Sequence, residues 1–154
     1  MVDKVISGGQ TGVDRAAMDV AEHLGIEVGG WCPKGRLAED GPIADHYPLD
    51  ETPSDDYRER TRWNIRDSDG TLVLSTETYS PGTALTVTEA RDRFKPLLII
   101  HLDGEGSEWE KARRTEEWIR EKEIRLLNVA GPRESESPGI YDYAADFLSD
   151  VLGE

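Results

Sequence analysis

Short apolar segments without polar alternation recur along this chain, and most of them are followed by a segment with helical periodicity. Apolar runs of this kind are typical of strands that are buried on both faces of a parallel sheet. The periodic segments between them have the length of crossover helices, so the pattern indicates repeated strand–helix units. We therefore predict a single α/β domain, residues 1–154, in which a doubly wound, mainly parallel sheet carries helices on both faces.

The approximate bounds of these elements follow from the same pattern. Strands are expected at residues 2–6, 26–31, 70–75, 97–102 and 124–129. Helices are expected at residues 13–24, 55–67, 83–94 and 108–122, with a final helix opened by Pro138. Residues 32–53 contain four prolines and are expected to form a long connection without a long helix. In doubly wound folds the ligand crevice lies at the carboxyl ends of the strands, so site residues are sought in the segments that follow them.

Charge and cysteine content argue against several kinds of function. The chain has 32 acidic and 18 basic residues, a net charge of −14, which repels nucleic acid and anionic membranes. With one cysteine, Cys32, no intrachain disulfide forms, and Cys32 and three scattered histidines match no metal-ligand spacing. No apolar run is long enough to span a bilayer and no secretion signal is apparent, so we expect a cytoplasmic protein without nucleic-acid or membrane partners.

The first candidate site joins the first predicted strand to the first helix. Gly8 and Gly9 allow the backbone to approach a ligand closely, and free amide groups at a helix start attract anions. Gln10 and Thr11 add side-chain donors, and Arg15, about one turn into the helix, is placed to close on an anion. The glycine spacing matches neither a Walker loop nor the dinucleotide-binding fingerprint. The loop is either an anion site or a turn that lets the helix pack on the sheet.

A second helix start, after the strand at residues 70–75, repeats this arrangement with Ser80-Pro81-Gly82-Thr83. Two helix starts that face one crevice would suit a dianionic phosphate.

Two further segments add candidate ligand-binding residues. Lys34 and Arg36 form a basic loop suited to phosphate or carboxylate, beside which Trp31 offers a flat face to a heterocycle; alternatively, these bases pair with nearby acids while the indole is core. Asn64, on the helix predicted at residues 55–67, either approaches the crevice or belongs to a buried polar network that holds the helix to the sheet.

Taken together, three segments resemble the molybdenum carrier family of the SLOG superfamily, which also contains the lonely-guy phosphoribohydrolases and the DprA-like proteins. The likeness runs in order from Ile6 to about Pro96, and residues 128–133 extend it. The glycine loop is widely shared, whereas the tryptophan–cysteine–proline–lysine–glycine segment is the more specific mark. The three segments are Ser7-Gly8-Gly9-Gln10-Thr11-Gly12-Val13-Asp14-Arg15, Gly30-Trp31-Cys32-Pro33-Lys34-Gly35 and Arg60-Thr61-x-x-Asn64-x-x-Asp67-x-Asp69-Gly70-Thr71-Leu72.

The resemblance implies a Rossmann-like homo-oligomer, a dimer or tetramer, that binds molybdenum cofactor, a pterin bearing a phosphate. Such a protein carries or stores the cofactor without transforming it and passes it to molybdoenzymes. Position by position, the resemblance assigns a first phosphate loop to Gly8, Gly9, Gln10, Thr11, Gly12 and Arg15, and a second to Gly82 and Thr83. The complete set of candidate ligand-binding residues adds Lys34, Arg36, Asn64 and Ser80.

The phosphoribohydrolase relatives imply a competing, enzymatic function, the release of a base from a nucleoside 5′-monophosphate. Their signature Pro-Gly-Gly-x-Gly-Thr-x-Glu-Glu is shortened here, and Leu85 and Thr86 stand where the acid is expected. The nearest acid is Glu89, six residues past Thr83. Cleavage of an N-glycosidic bond needs a carboxylate near the departing base or the ribose, so the sequence favours binding over hydrolysis. A nucleotide sensor without turnover is a third hypothesis.

Overall fold

The computed structural model describes residues 1–76 and 78–153, and it confirms the Rossmann-like, doubly wound α/β architecture. Within these residues the chain forms the strands β1 (Lys4–Ile6), β2 (Glu27–Gly29), β3 (Trp31–Cys32), β4 (Leu37–Ala38), β5 (Gly41–Pro42), β6 (Asp50–Glu51), β7 (Gly70–Ser75), β8 (Leu97–His101) and β9 (Leu126–Ala130). The helices are α1 (Val13–Leu24), α2 (Tyr57–Arg66), α3 (Pro81–Asp92), α4 (Glu108–Glu121) and α5 (Ile140–Leu152).

The central sheet is entirely parallel and has the strand order β2-β1-β9-β7-β8. The last strand of the chain, β9, therefore lies in the middle of the sheet, with Val5 of β1 and Leu72 of β7 opposite its residues Leu127 and Val129. Because β1, β7 and β9 are adjacent and parallel, the loops that follow them emerge together at one edge. This edge carries the segments in which the sequence predicts a site.

Helices cover both faces of this sheet. The helices α1, α4 and α5 pack together on one face, and α2 packs against α3 on the other. All six residues of β7 are buried, which is why its sequence shows no polar alternation. On α1 the small side chains of Ala16, Ala17 and Ala21 are fully buried, so this helix approaches its neighbours closely. None of the helices in the described residues is long and apolar enough to cross a membrane.

The strand predicted at residues 26–31 is confirmed only in β2, because this segment divides between two strands in two sheets. Gly30 lies between β2 and β3 with a φ of 125°, and β3 leaves the central sheet to pair in parallel with β6. A Cβ atom at Gly30 would lie 2.4 Å from the Ser7 carbonyl oxygen, so the glycine is needed for this close approach.

Three helix starts also differ from the prediction, and one of them is that of α5, which begins at Ile140, two residues after Pro138. The side chain of Asp56 caps α2, which begins at Tyr57. The side chain of Ser80 caps α3, so this helix begins at Pro81, two residues before the predicted start.

Candidate functional site

Two neighbouring cavities lie at the edge where the strands of the central sheet end. We call them cavity A, of about 210 Å³, and cavity B, of about 320 Å³. Three residues, Gln10, Tyr57 and Arg60, line both cavities and separate them. Cavity A is further lined by Asp14, Thr61, Ser80, Pro81, Gly82, Thr83, Thr86, Ala130, Gly131, Arg133 and Glu136. Cavity B is further lined by Gly8, Pro33, Lys34, Leu37 and Asp55.

The start of α3 lines cavity A with Ser80, Gly82 and Thr83. The Ser80 hydroxyl accepts a hydrogen bond from the Thr83 amide at 3.3 Å and donates one to the Thr83 hydroxyl at 3.1 Å. No hydrogen-bond acceptor engages the Gly82 amide within residues 1–76 and 78–153. A Cβ atom at Gly82 would meet no atom within 4 Å, so the chain itself does not require a glycine there. This helix start therefore offers positive partial charge and open space to an anion.

An arginine from α2 provides the most deeply placed cation of cavity A. Arg60 Nη1 donates to Asp14 Oδ2 at 3.1 Å, and only 16% and 6% of the two side chains are exposed. The Nε atom of Arg60 is buried and has no hydrogen-bond partner within the described residues. Gly8 makes this arrangement possible, since a Cβ atom there would lie 1.6 Å from Arg60 Nη1. With Arg60 in this position, a side chain at position 8 would have to displace its guanidinium group.

Burial has the largest effect on the pKa of Asp14, the aspartate of this pair. It raises the pKa of the Asp14 carboxyl, while the Arg60 guanidinium and a hydrogen bond from the Gln10 amide offset part of the rise. The carboxylate occupies the start of α1, where the positive end of the helix favours an anion. An acidic side chain of the protein therefore lies in the first turn of this helix.

Four amide groups at and before the start of α1 are engaged within the protein, and the binding of a phosphate by this loop stays a prediction. The acceptors are Ser7 Oγ for Gly9, Asp14 Oδ2 for Gln10, Gln10 Oε1 for Thr11 and the Pro132 carbonyl for Val13. Gln10 nevertheless lines both cavities with its side chain. The loop shapes the site, but its amides at these positions are not available to a ligand.

Arg15, Thr11 and Gly12 face away from cavities A and B, toward an open acidic surface. The Arg15 guanidinium donates to Asp40 at 3.0 and 3.3 Å and to the Gly9 carbonyl at 3.2 Å. Successive residues of a helix point about 100° apart, so the turn that directs Asp14 into cavity A directs Arg15 elsewhere. The structure therefore does not bring Arg15 to cavity A, and a role for Arg15 in binding an anion stays a prediction.

Two more predicted residues have structural roles in this arrangement. The Arg36 guanidinium binds three backbone carbonyls of the long connection, those of Ala44, Tyr47 and Leu49, at 2.9–3.1 Å. Asn64 accepts from the Trp31 amide at 2.7 Å and donates to the Trp31 carbonyl at 3.0 Å, which fastens β3 to α2. Neither Arg36 nor Asn64 lines cavity A or B.

Trp31 and Lys34, the other two candidates from this segment, lie in different places relative to the cavities. The Trp31 indole donates to Asp67 at 2.8 Å and packs edge-on against Trp63, outside both cavities. Lys34 does line cavity B, and no acidic side chain within residues 1–76 and 78–153 forms an ion pair with it.

Sequence reasoning missed Arg60 and Arg133 as the two guanidinium groups of cavity A. Arg133 follows β9, and its side chain and amide bind Glu136 at 3.4 and 3.0 Å. Burial acts to raise the pKa of Glu136, but the Arg133 amide and guanidinium lower it below the ordinary value. Both arginines lie in segments that carry the family resemblance, which is the signal that would have identified them.

Glu89, the acid that a hydrolase would use, lies outside cavity A. Glu89 forms ion pairs with Arg62 at 3.1 Å and with Arg93 at 3.5 Å, and it does not line cavity A. The carboxylates that do line this cavity, Asp14 and Glu136, are each bound to an arginine.

Comparisons with known proteins agree with this architecture. A family model, described as the circularly permutated YpsA SLOG family, matches residues 5–152. A crystal structure from Syntrophus aciditrophicus SB, named as a proposed molybdenum carrier protein, is 45% identical with a TM-score of 0.96. The match covers 99% of this chain and 96% of that chain. Among curated proteins, none matches this sequence significantly.

Proposed function

Since the chain belongs to the circularly permutated YpsA SLOG family, we propose that it binds and carries a phosphorylated pterin, molybdenum cofactor, without turnover. The name of the Syntrophus aciditrophicus relative supports a molybdenum-related ligand. The ligand is cargo in this proposal, and the protein's residues supply binding and shelter.

The observation that supports this function most strongly is the anion-binding character of cavity A. It combines the Gly82 amide at the start of α3 with the guanidinium groups of Arg60 and Arg133. A phosphate group accepts hydrogen bonds from helix-start amides and from arginine forks, and each charge-assisted bond is about twice as strong as a neutral one. The missing side chain at position 82 leaves room for such a group beside the helix start.

The pairing of the acids in cavity A supports binding without hydrolysis. A general acid or base must reach the reacting atoms in a suitable protonation state. Asp14 and Glu136 are held by Arg60 and Arg133, and Glu89 is directed outside the cavity. These carboxylates serve mainly to orient the guanidinium groups that would hold the phosphate.

Titration of the purified protein tests this proposal. Molybdenum cofactor, released from a molybdoenzyme without oxygen, and adenosine 5′-monophosphate are added separately, and binding is followed by tryptophan fluorescence and calorimetry. We expect saturable binding of the cofactor, which is then recovered intact and activates a cofactor-free molybdoenzyme.

Two outcomes would overturn the proposal. Tight binding of the nucleotide without any binding of the cofactor would favour a nucleotide sensor. Release of free adenine from the monophosphate, measured by chromatography, would favour a hydrolase.

A further inference from the structure

Cavity A is too small to hold the whole of a phosphorylated heterocycle. Its volume is about 210 Å³, whereas pockets for small organic ligands measure roughly 300–1,000 Å³. Cavity B adds about 320 Å³ and is separated from cavity A only by side chains that line both. A ligand whose phosphate lies at α3 therefore has room to extend past Arg60 and Tyr57 into cavity B.

The walls of cavity B expose large apolar side chains in an otherwise charged surface. Leu37 is 62% exposed and Tyr57 is 42% exposed, and Pro33 lines the cavity beside them. Burying such surface is favourable, and an aromatic ring also favours stacked or edge-on contact with another flat ring. The walls thus suit the faces of a planar group.

The hairpin that carries Leu37 is already fastened to the rest of the site. Strands β4 and β5 form this hairpin, and its turn contains Glu39. The Glu39 carboxylate accepts hydrogen bonds from the hydroxyls of Thr11 and Ser135, each at 2.5 Å, and its amide donates to Gln10 Oε1 at 2.8 Å. Because Leu37 is held before any ligand binds, little conformational entropy is lost when the cavity is filled.

The edges of cavity B are polar and positively charged. Arg60 lies at its junction with cavity A, and Lys34 lies on its wall without an acidic partner in the described part of the chain. Asp55 is the acid that lines this cavity. A flat ring with hydrogen-bonding or anionic substituents at its edge matches this distribution of groups better than a purely apolar ring does.

We propose that cavity B is the ring subsite of the carried ligand, and that the protein selects phosphate esters of planar heterocycles over other phosphates. The ring lies between Tyr57 and Leu37, and Lys34 faces a polar or anionic substituent at its edge. The proposal rests on the proposed function only in placing the phosphate in cavity A.

Three probes separate the ring from the phosphate. They are hydroxymethylpterin monophosphate, ribose 5-phosphate and inorganic phosphate, titrated by calorimetry into the wild-type protein. We expect the pterin ester to bind at least about tenfold more tightly than ribose 5-phosphate, since roughly 1.4 kcal/mol of ring contacts gives this factor. Equal affinity for the two esters would overturn the ring subsite and leave the phosphate site standing. Failure of the pterin ester to bind at all would overturn both.

A variant of Leu37 tests the position of the ring. Because this side chain is largely exposed, Leu37→Ser is expected to fold normally, and circular dichroism checks this. We expect it to weaken the pterin ester about fivefold through lost apolar contact, with affinity for inorganic phosphate unchanged. Leu24→Ser, at an exposed leucine that lines neither cavity, is the matched control and should change neither affinity. An unchanged affinity of Leu37→Ser for the pterin ester would overturn the assignment.

Discussion

The segments that lead from β1 into α1 and from β7 into α3 have different structural roles. Both connect a buried parallel strand to a helix through glycine and a hydroxyl-bearing residue. At α1 the buried Asp14 carboxylate accepts a hydrogen bond from the Gln10 amide, and the missing side chain at Gly8 leaves room for Arg60. At α3 the Ser80 hydroxyl caps the Thr83 amide, and Gly82 lines cavity A. A glycine at a helix start is therefore evidence for a ligand only when the protein's own groups do not require it.

The backbone supports this distinction. Gly12 has a φ of 76°, and a Cβ atom on it would lie 2.4 Å from the Pro132 carbonyl oxygen. Gly82 lies in the first turn of α3 and would accept a side chain without steric conflict. Four substitutions, described from the largest expected effect to the smallest, test this contrast.

Gly8→Ala should strongly destabilise the protein. The added methyl group displaces Arg60 and leaves Asp14 buried without its partner, so we expect a loss of about 3 kcal/mol in the free energy of unfolding. Urea denaturation measures this change. In an Arg60→Ala background the same substitution should cost much less, because the displaced group is absent. An equal loss in the free energy of unfolding in the two backgrounds would show that the contact with Arg60 does not cause the destabilisation.

Arg133→Ala should weaken the binding of inorganic phosphate about tenfold, because one charge-assisted hydrogen bond contributes roughly 1.5 kcal/mol. Arg15→Ala is the matched comparison at the other helix start. Its guanidinium binds Asp40 outside cavity A, so phosphate affinity should stay the same. Calorimetric titration of both variants with inorganic phosphate measures the two affinities. A larger loss of affinity in Arg15→Ala than in Arg133→Ala would reverse our assignment of the two helix starts.

Gly82→Ala should weaken the binding of inorganic phosphate without lowering the stability of the protein. Alanine favours helix over glycine by up to about 1 kcal/mol, so the free energy of unfolding should be unchanged or slightly higher. The methyl group occupies open space beside the helix start, and we expect inorganic phosphate to bind about fivefold more weakly. Thermal unfolding with and without phosphate measures both effects. Unchanged affinity would remove the strongest support for the site at α3.

Glu39→Gln should have a small, pH-dependent effect on stability. Hydrogen bonds from Ser135 and Thr11 lower the pKa of Glu39 below its ordinary value of 4.5. A lowered folded-state pKa stabilises the protein above pH 4.5, and this contribution is lost as the pH falls through the folded-state pKa.

We expect Glu39→Gln to cost about 1 kcal/mol at neutral pH, and the difference from wild type to shrink below pH 4.5. Urea denaturation across this range measures it. A difference that does not change with pH would show that the charge of Glu39 does not fasten the hairpin.

The sequence predicted the elements of this fold more successfully than their arrangement. The apolar run of β7 and the periodicity of α1 gave the observed bounds, because both patterns are local. Nothing local indicates that β9 inserts between β1 and β7. The break at Gly30 was missed for the same reason, since its cause is contact with the distant Ser7.

In the candidate site, too, the contributing segments were predicted more successfully than the contacts between them. Gln10, Ser80, Gly82 and Thr83 do line cavity A, as expected for segments that follow strands. Arg60 was missed because its role depends on Asp14, which is 46 residues away in sequence. The pairing of Arg15 with Asp40 was not predicted, because residue spacing gives the position of Arg15 on the helix but not the side of the loop on which its acceptors lie.

By itself, the sequence determined the alternation of strands and helices, the acidic surface and the edge of the sheet at which polar loops collect. These properties depend on residue type and short-range spacing, which hydrophobic burial and helix geometry convert directly into structure. Only the tertiary structure decided which helix start holds the Asp14–Arg60 ion pair and which lines a cavity at Gly82. That choice depends on contacts between residues far apart in the chain, which form only when the whole sheet and its helices have packed together.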